Sequence, residues 1–360
     1  MNLLDSYKRN KVAINLIRYL LAILVIFDHS YHMGKFGDEP LLFSFGERTA
    51  IGFLAVSTFF AISGFLITSS AINSDPLNFL FNRFLRIWPA FTFLVLCSAF
   101  VIGPVLVEMN GLSIRNYFLN FDSTGPWTYV FHNIFLPVEL QNNLFNLFEN
   151  SPNGSNFNGS LWTLPLELRA YFICFFLVLI GKKFGLFKVF FIFQIYLIIC
   201  IIGDSMENRF IYYVYPDFIH LSSKFMFAFF FAGLVTIVFE KREIKLKWLY
   251  AVLIMFIFLA AIGGPLFQTI GISIVVFLIP FLSEKLNLNK FNYFKNDISY
   301  GTYIWGYLVG QIMYLQFSFD SHRFFLFTTI CVTTFIAILS WFFIEKPALN
   351  LKNRNLITGV

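Results

Sequence analysis

The sequence predicts an all-α polytopic membrane protein, a bundle of about ten transmembrane helices. The first observation is composition, because 58% of the 360 residues are hydrophobic and 13% are charged, whereas soluble domains are about one quarter charged. The second is the recurrence of apolar runs close to the about 20 residues that a helix needs to cross a bilayer. The third is the alternation of Lys- and Arg-rich segments between those runs.

Each apolar run is predicted to be one helix. The runs lie at 12–33, 51–71, 88–107, 163–180, 187–203, 220–239, 248–263, 265–283, 299–318 and 324–344. In the third run, Trp88 and Pro89 indicate an interfacial anchor followed by a helix start. Gly263, Gly264 and Pro265 separate the seventh run from the eighth and predict a tight turn.

The basic residues predict the orientation. If the N-terminus is cytoplasmic, most of the 26 Lys and Arg residues fall in the cytoplasmic segments, as the positive-inside rule requires. This predicts an N-in, C-in topology, and it explains the net charge of +6 without a nucleic-acid partner. We expect a single membrane-embedded domain over 1–350 and a short cytoplasmic tail over 351–360.

One long connection lies between the third and fourth runs. It covers about residues 108–162, faces outward in this topology, and is rich in Asn, Gly and Ser at 150–160. A connection of this length without evident structure of its own is typically functional or disordered.

The first run carries two ionisable side chains, Arg18 and His29. Eleven residues are close to three helical turns, so the two share a face and lie about 16 Å apart along the axis. Ionisable side chains inside a membrane usually line a functional path. His29 is therefore a candidate general base, with two alternatives open: a structural histidine, or a metal ligand with Asp28 and His32. No second cluster of ligand residues supports the metal, and we expect none.

Glu167 in the fourth run is the candidate partner of that base. It lies about one turn below the outer surface, at a depth similar to that of His29 in the predicted topology. A carboxylate there would orient the imidazole or bind an acceptor hydroxyl. The alternative is a structural pair with Arg169 or another buried cation.

Arg83 and Arg86 are the candidate phosphate ligands. Three residues apart, they share a face of a helix start or a short interfacial helix on the cytoplasmic side. Paired guanidinium groups suit phosphate oxygens. The positive-inside rule alone is the alternative explanation.

Together these residues resemble the integral-membrane acyltransferase family three, whose members move acyl groups, usually acetyl, onto sugars of surface glycans. Four segments carry the resemblance, in family order and over nearly the whole chain. They are Arg18-x10-His29; Phe59–Ile67 followed by Arg83–Pro89; Gly159–Tyr171; and Ile298–Tyr303 with Phe343–Pro347. The family also has ten helices.

The resemblance implies an O-acyltransferase of the bacterial inner membrane. Acyl-CoA, normally acetyl-CoA, would be the cytoplasmic donor, and the acceptor a hydroxyl of a surface polysaccharide such as O-antigen, capsule or exopolysaccharide, or of its lipid-linked precursor. The implied roles are catalysis by His29 and Glu167, donor binding by Arg18, Arg83 and Arg86, and substrate binding by Trp162, Tyr171 and Tyr303. In one departure, Gly306 stands where many relatives have a His.

Two other classes of protein fit parts of the pattern. A transporter or flippase for a lipid-linked saccharide would also use intramembrane Arg, His and Glu along a path. It needs no CoA site, so CoA binding at Arg83 and Arg86 distinguishes the two. A structural assembly factor would leave the buried charges unexplained.

Overall fold

A computed structural model describes residues 2–42, 50–135, 140–205, 223–240 and 242–355, and it is helical throughout, with no strand in those ranges. Five helices in the described ranges are long and apolar enough to cross a membrane. They are Lys11–Met33, Ile51–Asn73, Pro76–Met109, Gly159–Phe184 and His322–Lys352. The predicted all-α membrane class is therefore confirmed, whereas the count of about ten helices and the N-in, C-in topology stay predictions.

Helices cover the apolar runs in order. The first group is α1 (Leu3–Arg9), α2 (Lys11–Met33), α3 (Ile51–Asn73), α4 (Pro76–Cys97), α5 (Gly103–Met109), α6 (Ile114–Phe118), α7 (Pro126–Asn133), α8 (Thr163–Phe184) and α9 (Leu186–Ser205). The second group is α10 (Ser223–Phe239), α11 (Leu246–Ile262), α12 (Val275–Lys285), α13 (Ser299–Gln316), α14 (His322–Ser340) and α15 (Lys346–Asn355). Short π-helical segments occupy Ser98–Ile102, Phe267–Gly271 and Trp341–Glu345.

The chain forms two compact units, each described by itself. The first comprises Met1–Leu21, Glu39–Phe79 and Leu166–Asn296; the second comprises Ala22–Asp38, Leu80–Pro165 and Asp297–Val360. The single domain over 1–350 and the tail over 351–360 stay predictions.

In the first unit, glycines bring α3 and α10 into close contact. A Cβ atom added to Gly64 would lie 2.0 Å from the main-chain oxygen of Phe229. One added to Gly233 would lie 2.6 Å from the Thr68 hydroxyl oxygen. Small residues permit such close approach between helices in a membrane, where van der Waals packing drives association.

In the second unit, α13 packs against the C-terminal half of α2 in the same way. A Cβ atom added to Gly306 would lie 2.6 Å from Cγ1 of Ile26. One added to Gly310 would lie 2.7 Å from the sulfur of Met33. Gly306 is thus a packing glycine in this chain.

The predicted helix start at Pro89 is wrong. The helix α4 begins at Pro76, and Pro89 lies in its interior. The start is specified by Asp75, whose carboxylate accepts hydrogen bonds from the main-chain N–H groups of Leu77 and Asn78, with proline favourable in the first turn. Arg83 and Arg86 therefore lie in mid-helix instead of at a helix start.

The connection over 108–162 has structure of its own, which its polar composition did not predict. The described part contains α6 and α7 and a small aromatic core, in which Tyr129 and Phe148 both pack against Phe157. Tyr117 is fully buried and donates a hydrogen bond to the carbonyl of Ala99, O···O 2.6 Å. Burial raises the pKa of the Tyr117 hydroxyl, so the donor keeps its proton.

Candidate active site

The candidate residues are distributed over both units. Arg18, Glu167 and Tyr171 belong to the first unit. The others belong to the second, namely His29, Arg83, Arg86, Trp162 and Tyr303.

His29 lies in α2 with its side chain 29% exposed. Its ring packs edge-on against Tyr307 of α13, with ring centroids 5.1 Å apart and planes at 80°. This contact limits how the imidazole can turn, since the tyrosine ring occupies one side of it. The imidazole is thus held in one region while part of it stays accessible, which a general base requires.

Asp28 lies nearest to the ring nitrogen of His29 among its acidic neighbours in this unit. Its Oδ2 is 3.8 Å from Nδ1 of His29, which is too long for a hydrogen bond and close enough to stabilise a protonated imidazole electrostatically. Among the residues that the structure describes, no three His, Cys, Asp or Glu side chains are grouped as metal ligands.

Arg86 is the centre of a cluster of charges in the second unit. Its Nη2 donates to Oδ2 of Asp297 at 2.6 Å, and its Nη1 lies 3.9 Å from Oε2 of Glu345. The three side chains are 16%, 11% and 3% exposed. Its guanidinium carbon is 5.8 Å from the ring centroid of Tyr300. One cation thus faces two carboxylates and an aromatic ring.

This cluster joins the second and the fourth of the segments quoted from the sequence. Asp297 also accepts hydrogen bonds from the main-chain N–H and hydroxyl of Ser299. Tyr300 donates to the carbonyl of Ile87, beside Arg86, at 3.0 Å. Ser340 donates to Glu345 at 3.2 Å. The conformation of α4 near Arg86 is therefore tied to both α13 and the end of α14.

Arg83 lies one turn before Arg86 on α4 and is partly exposed. Residues three apart share a helix face, so the predicted common face is present. The two environments differ, because two carboxylates already surround the guanidinium of Arg86.

In the first unit, two predicted residues contact each other directly. Tyr171 donates a hydrogen bond from its hydroxyl to Oε1 of Glu167, one turn away on α8. Arg18 lies over Phe59, with its guanidinium carbon 6.0 Å from the ring centroid. Phe59 opens the second quoted segment, so the first and second segments meet here.

Tyr303 and Trp162 lie at the 3₁₀ turn Gly159–Trp162 that precedes α8. Tyr303 donates to the carbonyl of Ser160 at 2.9 Å, and its oxygen is 2.6 Å from Oγ1 of Thr163. Trp162 is 45% exposed. Tyr303 thus holds this turn on α13, whereas Trp162 presents an accessible indole.

Sequence reasoning missed Asp297, Glu345, Tyr307 and Gln311. Tyr307 and Gln311 follow Tyr303 at successive intervals of four, so helical spacing alone would have placed them on one face. Asp297 and Glu345 are far from Arg86 in sequence, and no local pattern links them.

The chain matches one protein family and named relatives. The model of the acyltransferase-3 family, described as an acyltransferase domain, matches residues 11–345. An O-acetyl transferase of Shigella phage Sf6 is 28% identical over 339 residues, covering 91% of this chain and 93% of the relative. Nodulation protein 10 of Rhizobium leguminosarum bv. viciae is 25% identical over 362 residues, covering 94% of this chain and 93% of that relative. No solved structure matches.

The apolar helices define a multi-pass membrane protein, and the candidate residues include a partly exposed intramembrane histidine. The chain belongs to the acyltransferase-3 family. The resemblance inferred from the four sequence segments and the predicted enzyme class, an O-acetyltransferase, are confirmed by these matches.

Proposed function

We propose that this protein transfers an acetyl group from cytoplasmic acetyl-CoA to a hydroxyl of a surface polysaccharide or its lipid-linked precursor, in the inner membrane of a bacterium. The observation that carries the proposal is His29, a partly exposed imidazole inside an apolar helix of a chain in an acyltransferase family.

His29 acts as the general base in this proposal. Its imidazole accepts the proton of the acceptor hydroxyl, and the oxygen forms a bond to the thioester carbonyl carbon. The carbon–sulfur bond breaks, and the leaving thiolate takes up a proton from the imidazolium. Asp28, with a carboxylate oxygen 3.8 Å from Nδ1, stabilises the imidazolium between the two proton transfers.

Glu167 has a supporting role on the acceptor side. Because Tyr171 donates to one carboxylate oxygen, the orientation of the carboxylate is restricted, and its other oxygen is available to an acceptor hydroxyl. This role of Glu167, like that of Trp162 as an accessible aromatic surface for a sugar ring, rests on the family resemblance and on these local contacts.

Arg18 and Arg83 bind the phosphate groups of the donor in this proposal. Both are cationic and partly exposed, which suits binding of a phosphate-bearing molecule. Arg86 was predicted to share this role, and its direct contact with the donor stays a prediction. Its two carboxylate neighbours favour a positioning role, in which it maintains the local structure of α4 that presents Arg83.

The test uses cells that lack the gene, complemented with wild type, His29→Ala or His32→Ala. His32 is a matched control, because it is one turn further along α2 and exposed. Mass spectrometry of the surface glycan should show acetyl increments with wild type and His32→Ala. With His29→Ala we expect about a 10²–10⁴-fold lower transfer rate, typical of loss of a general base.

Two results would overturn the proposal. Equal acetylation by His29→Ala and wild type, at equal protein levels, would remove His29 from the chemistry. An unchanged glycan mass with a missing or shortened polymer in the deletion strain would instead identify a transporter or flippase. Donor binding is tested separately with CoA, which Arg83→Ala should bind more weakly than Arg242→Ala, an exposed arginine on the same predicted side.

A further inference from the structure

The segment 156–163 lies along one face of α13 in the second unit. Gln311 donates from Nε2 to the carbonyl of Asn156 at 2.9 Å, and Tyr303 donates to the carbonyl of Ser160 at 2.9 Å. Between these bonds, Gly159 is in contact with the ring of Tyr307, from which an added Cβ atom would be 2.7 Å away. The segment therefore runs antiparallel to the stripe formed by Tyr303, Tyr307 and Gln311.

The amide groups along this contact have a defined orientation. Asn158 donates from Nδ2 to the carbonyl of Ile304 at 2.9 Å, as Gln311 does to Asn156. Turning either amide over would place its oxygen against a carbonyl oxygen. One N–H of each amide is thus used by the main chain, and the side-chain oxygens point away from these carbonyls.

Four side-chain oxygens along this contact are buried and have no hydrogen-bond partner among the described residues. They are Oδ1 of Asn156, Oδ1 of Asn158, Oγ of Ser160 and Oε1 of Gln311. Asn158, Ser160 and Gln311 are 2%, 2% and 0% exposed. Buried polar atoms in native proteins are nearly always hydrogen-bonded, so a cluster of exceptions requires an explanation.

The chemistry of the cluster indicates its ligand. Amide oxygens only accept hydrogen bonds, and a serine hydroxyl both donates and accepts. A group of acceptors is satisfied by a molecule rich in O–H donors and repels the oxygens of an anion. The cluster therefore suits an uncharged polyhydroxyl compound, which is the character of a saccharide, and does not suit the phosphates of a nucleotide.

Tyr307 connects the cluster to the candidate base. One part of its ring contacts Gly159, and the ring also packs against His29 with centroids 5.1 Å apart. The polar segment is thus separated from the imidazole by a single aromatic ring. A saccharide bound along the segment would extend past the Tyr307 ring to bring a hydroxyl to His29.

We propose that the side-chain oxygens of Asn158, Ser160 and Gln311 bind hydroxyl groups of the saccharide acceptor and so select which hydroxyl reaches His29. This inference rests on the proposed acetyl transfer. It assigns acceptor recognition to residues that the sequence motifs did not indicate as ligands.

The experiment measures initial rates of acetyl transfer by purified full-length protein in lipid nanodiscs. The donor is radiolabelled acetyl-CoA, and the acceptor is surface polysaccharide purified from cells that lack the gene. Ser160→Ala is the principal variant, because the Ser160 hydroxyl has no partner among the described residues and its loss removes no described bond. We expect a roughly three- to tenfold higher acceptor KM with an unchanged donor KM, as for loss of one hydrogen bond.

Gln311→Met is the second variant. It keeps the side-chain length, and it removes both the hydrogen bond to the carbonyl of Asn156 and the proposed acceptor oxygen. Its matched control is Gln194→Met. Gln194 is also a buried glutamine whose Nε2 donates to a main-chain carbonyl, that of Phe227, and whose Oε1 has no partner among the described residues. Gln194 lies on α9 in the first unit, away from the cluster around Gln311. The Gln194→Met variant should therefore have the acceptor KM of wild type.

The outcomes separate the inference from the function on which it rests. If wild type transfers acetyl but Ser160→Ala and Gln311→Met keep the wild-type acceptor KM, the oxygens are satisfied by ordered water and the inference is wrong. An equal rise for Gln194→Met would also overturn it, by attributing the effect to general destabilisation. No acetyl transfer by wild type to any fraction of the polysaccharide would overturn the proposed function itself.

Discussion

Arg86 and Asp297 form an ion pair at 2.6 Å across 211 residues of sequence. Together with Glu345 they join α4 to the residues just before α13 and to the π-helical segment that follows α14. The three side chains are mostly buried, and the charge of each is compensated by the opposite charge of its neighbours. Charge clusters of this kind are costly to break from one side only.

Replacing Arg86 with Ala should destabilise the protein strongly. It would leave the carboxylates of Asp297 and Glu345 largely buried without their cation, at a cost of about 3–5 kcal/mol. The measurement is the midpoint of thermal denaturation in detergent, followed by size-exclusion chromatography. Arg83→Ala, on the preceding turn of α4 and partly exposed, should lower the stability by less.

A second variant distinguishes charge from packing at Arg86. The triple change Arg86→Met, Asp297→Asn and Glu345→Gln removes all the charges together and should recover much of the lost stability. Equal denaturation midpoints for Arg86→Ala and Arg83→Ala would contradict this account of the cluster.

Replacing Gly306 with Ala or with His should also destabilise the second unit. The added Cβ atom would be 2.6 Å from Cγ1 and 2.8 Å from Cδ1 of Ile26, and overpacking of this kind costs about 1–3 kcal/mol. Because the obstructing atoms belong to a side chain, Ile26→Ala should partly rescue Gly306→Ala. The double variant should therefore be more stable than the sum of the two single losses predicts.

Gly64 provides the contrast to Gly306. There the obstructing atoms are the main-chain oxygen and carbon of Phe229, which no side-chain truncation removes. Gly64→Ala should consequently reduce the amount of folded protein more than Gly306→Ala, and Phe229→Ala should give no rescue. Rescue by Phe229→Ala would show that the two helices can separate readily.

Tyr171→Phe should lower the rate of acetyl transfer through Glu167. The change removes the hydroxyl that donates to the carboxylate, and hydrogen bonds to charged groups contribute about 1.5–3 kcal/mol. We expect about a tenfold or larger decrease in kcat, with the donor KM unchanged. Glu167→Gln and the double variant complete a thermodynamic cycle, and additive effects of the two changes would show that Tyr171 acts independently of Glu167.

Tyr117→Phe should loosen the ordered connection between α5 and α8. It removes the donor to the buried carbonyl of Ala99, and an unsatisfied buried group costs about 1–3 kcal/mol. Limited proteolysis should then cut the connection faster than in wild type, whereas Phe121→Ala, at an exposed side chain of the same connection, should leave the cutting rate unchanged. Faster cutting of Phe121→Ala would indicate that any loss of an aromatic residue opens this region.

The class of the fold was predictable because hydrophobicity is a local property of the chain. In the described ranges the apolar runs are helical, and the run from Val12 to Met33 agrees with α2 to within one residue. The run 265–283 is divided, because a π-helical segment at Phe267–Gly271 precedes α12. The start of α4 was predicted wrongly because the apolar pattern was given more weight than the Asp75–Pro76 start signal. The π-helical segment Ser98–Ile102 has no evident sequence signal.

Individual site residues were predictable where their spacing is helical or where a motif names them. His29 and Tyr171 were named as candidates in this way, and their roles stay predictions; Tyr307, four residues after Tyr303, could have been named by the same spacing. The partners of Arg86 could not, because Asp297 and Glu345 meet it only through tertiary packing. The unpaired side-chain oxygens of Asn158 and Gln311 could not be predicted from the sequence either. They become evident only when the structure shows that the amide nitrogens donate to main-chain carbonyls.

The contact between α3 and α10 has a consequence for motion. Helices slide past one another on layers of side chains that can change rotamer, and at Gly64 no such layer separates α3 from the main chain of Phe229. This close contact therefore opposes sliding of α3 against α10. We expect the two helices to move together in any rearrangement of the first unit.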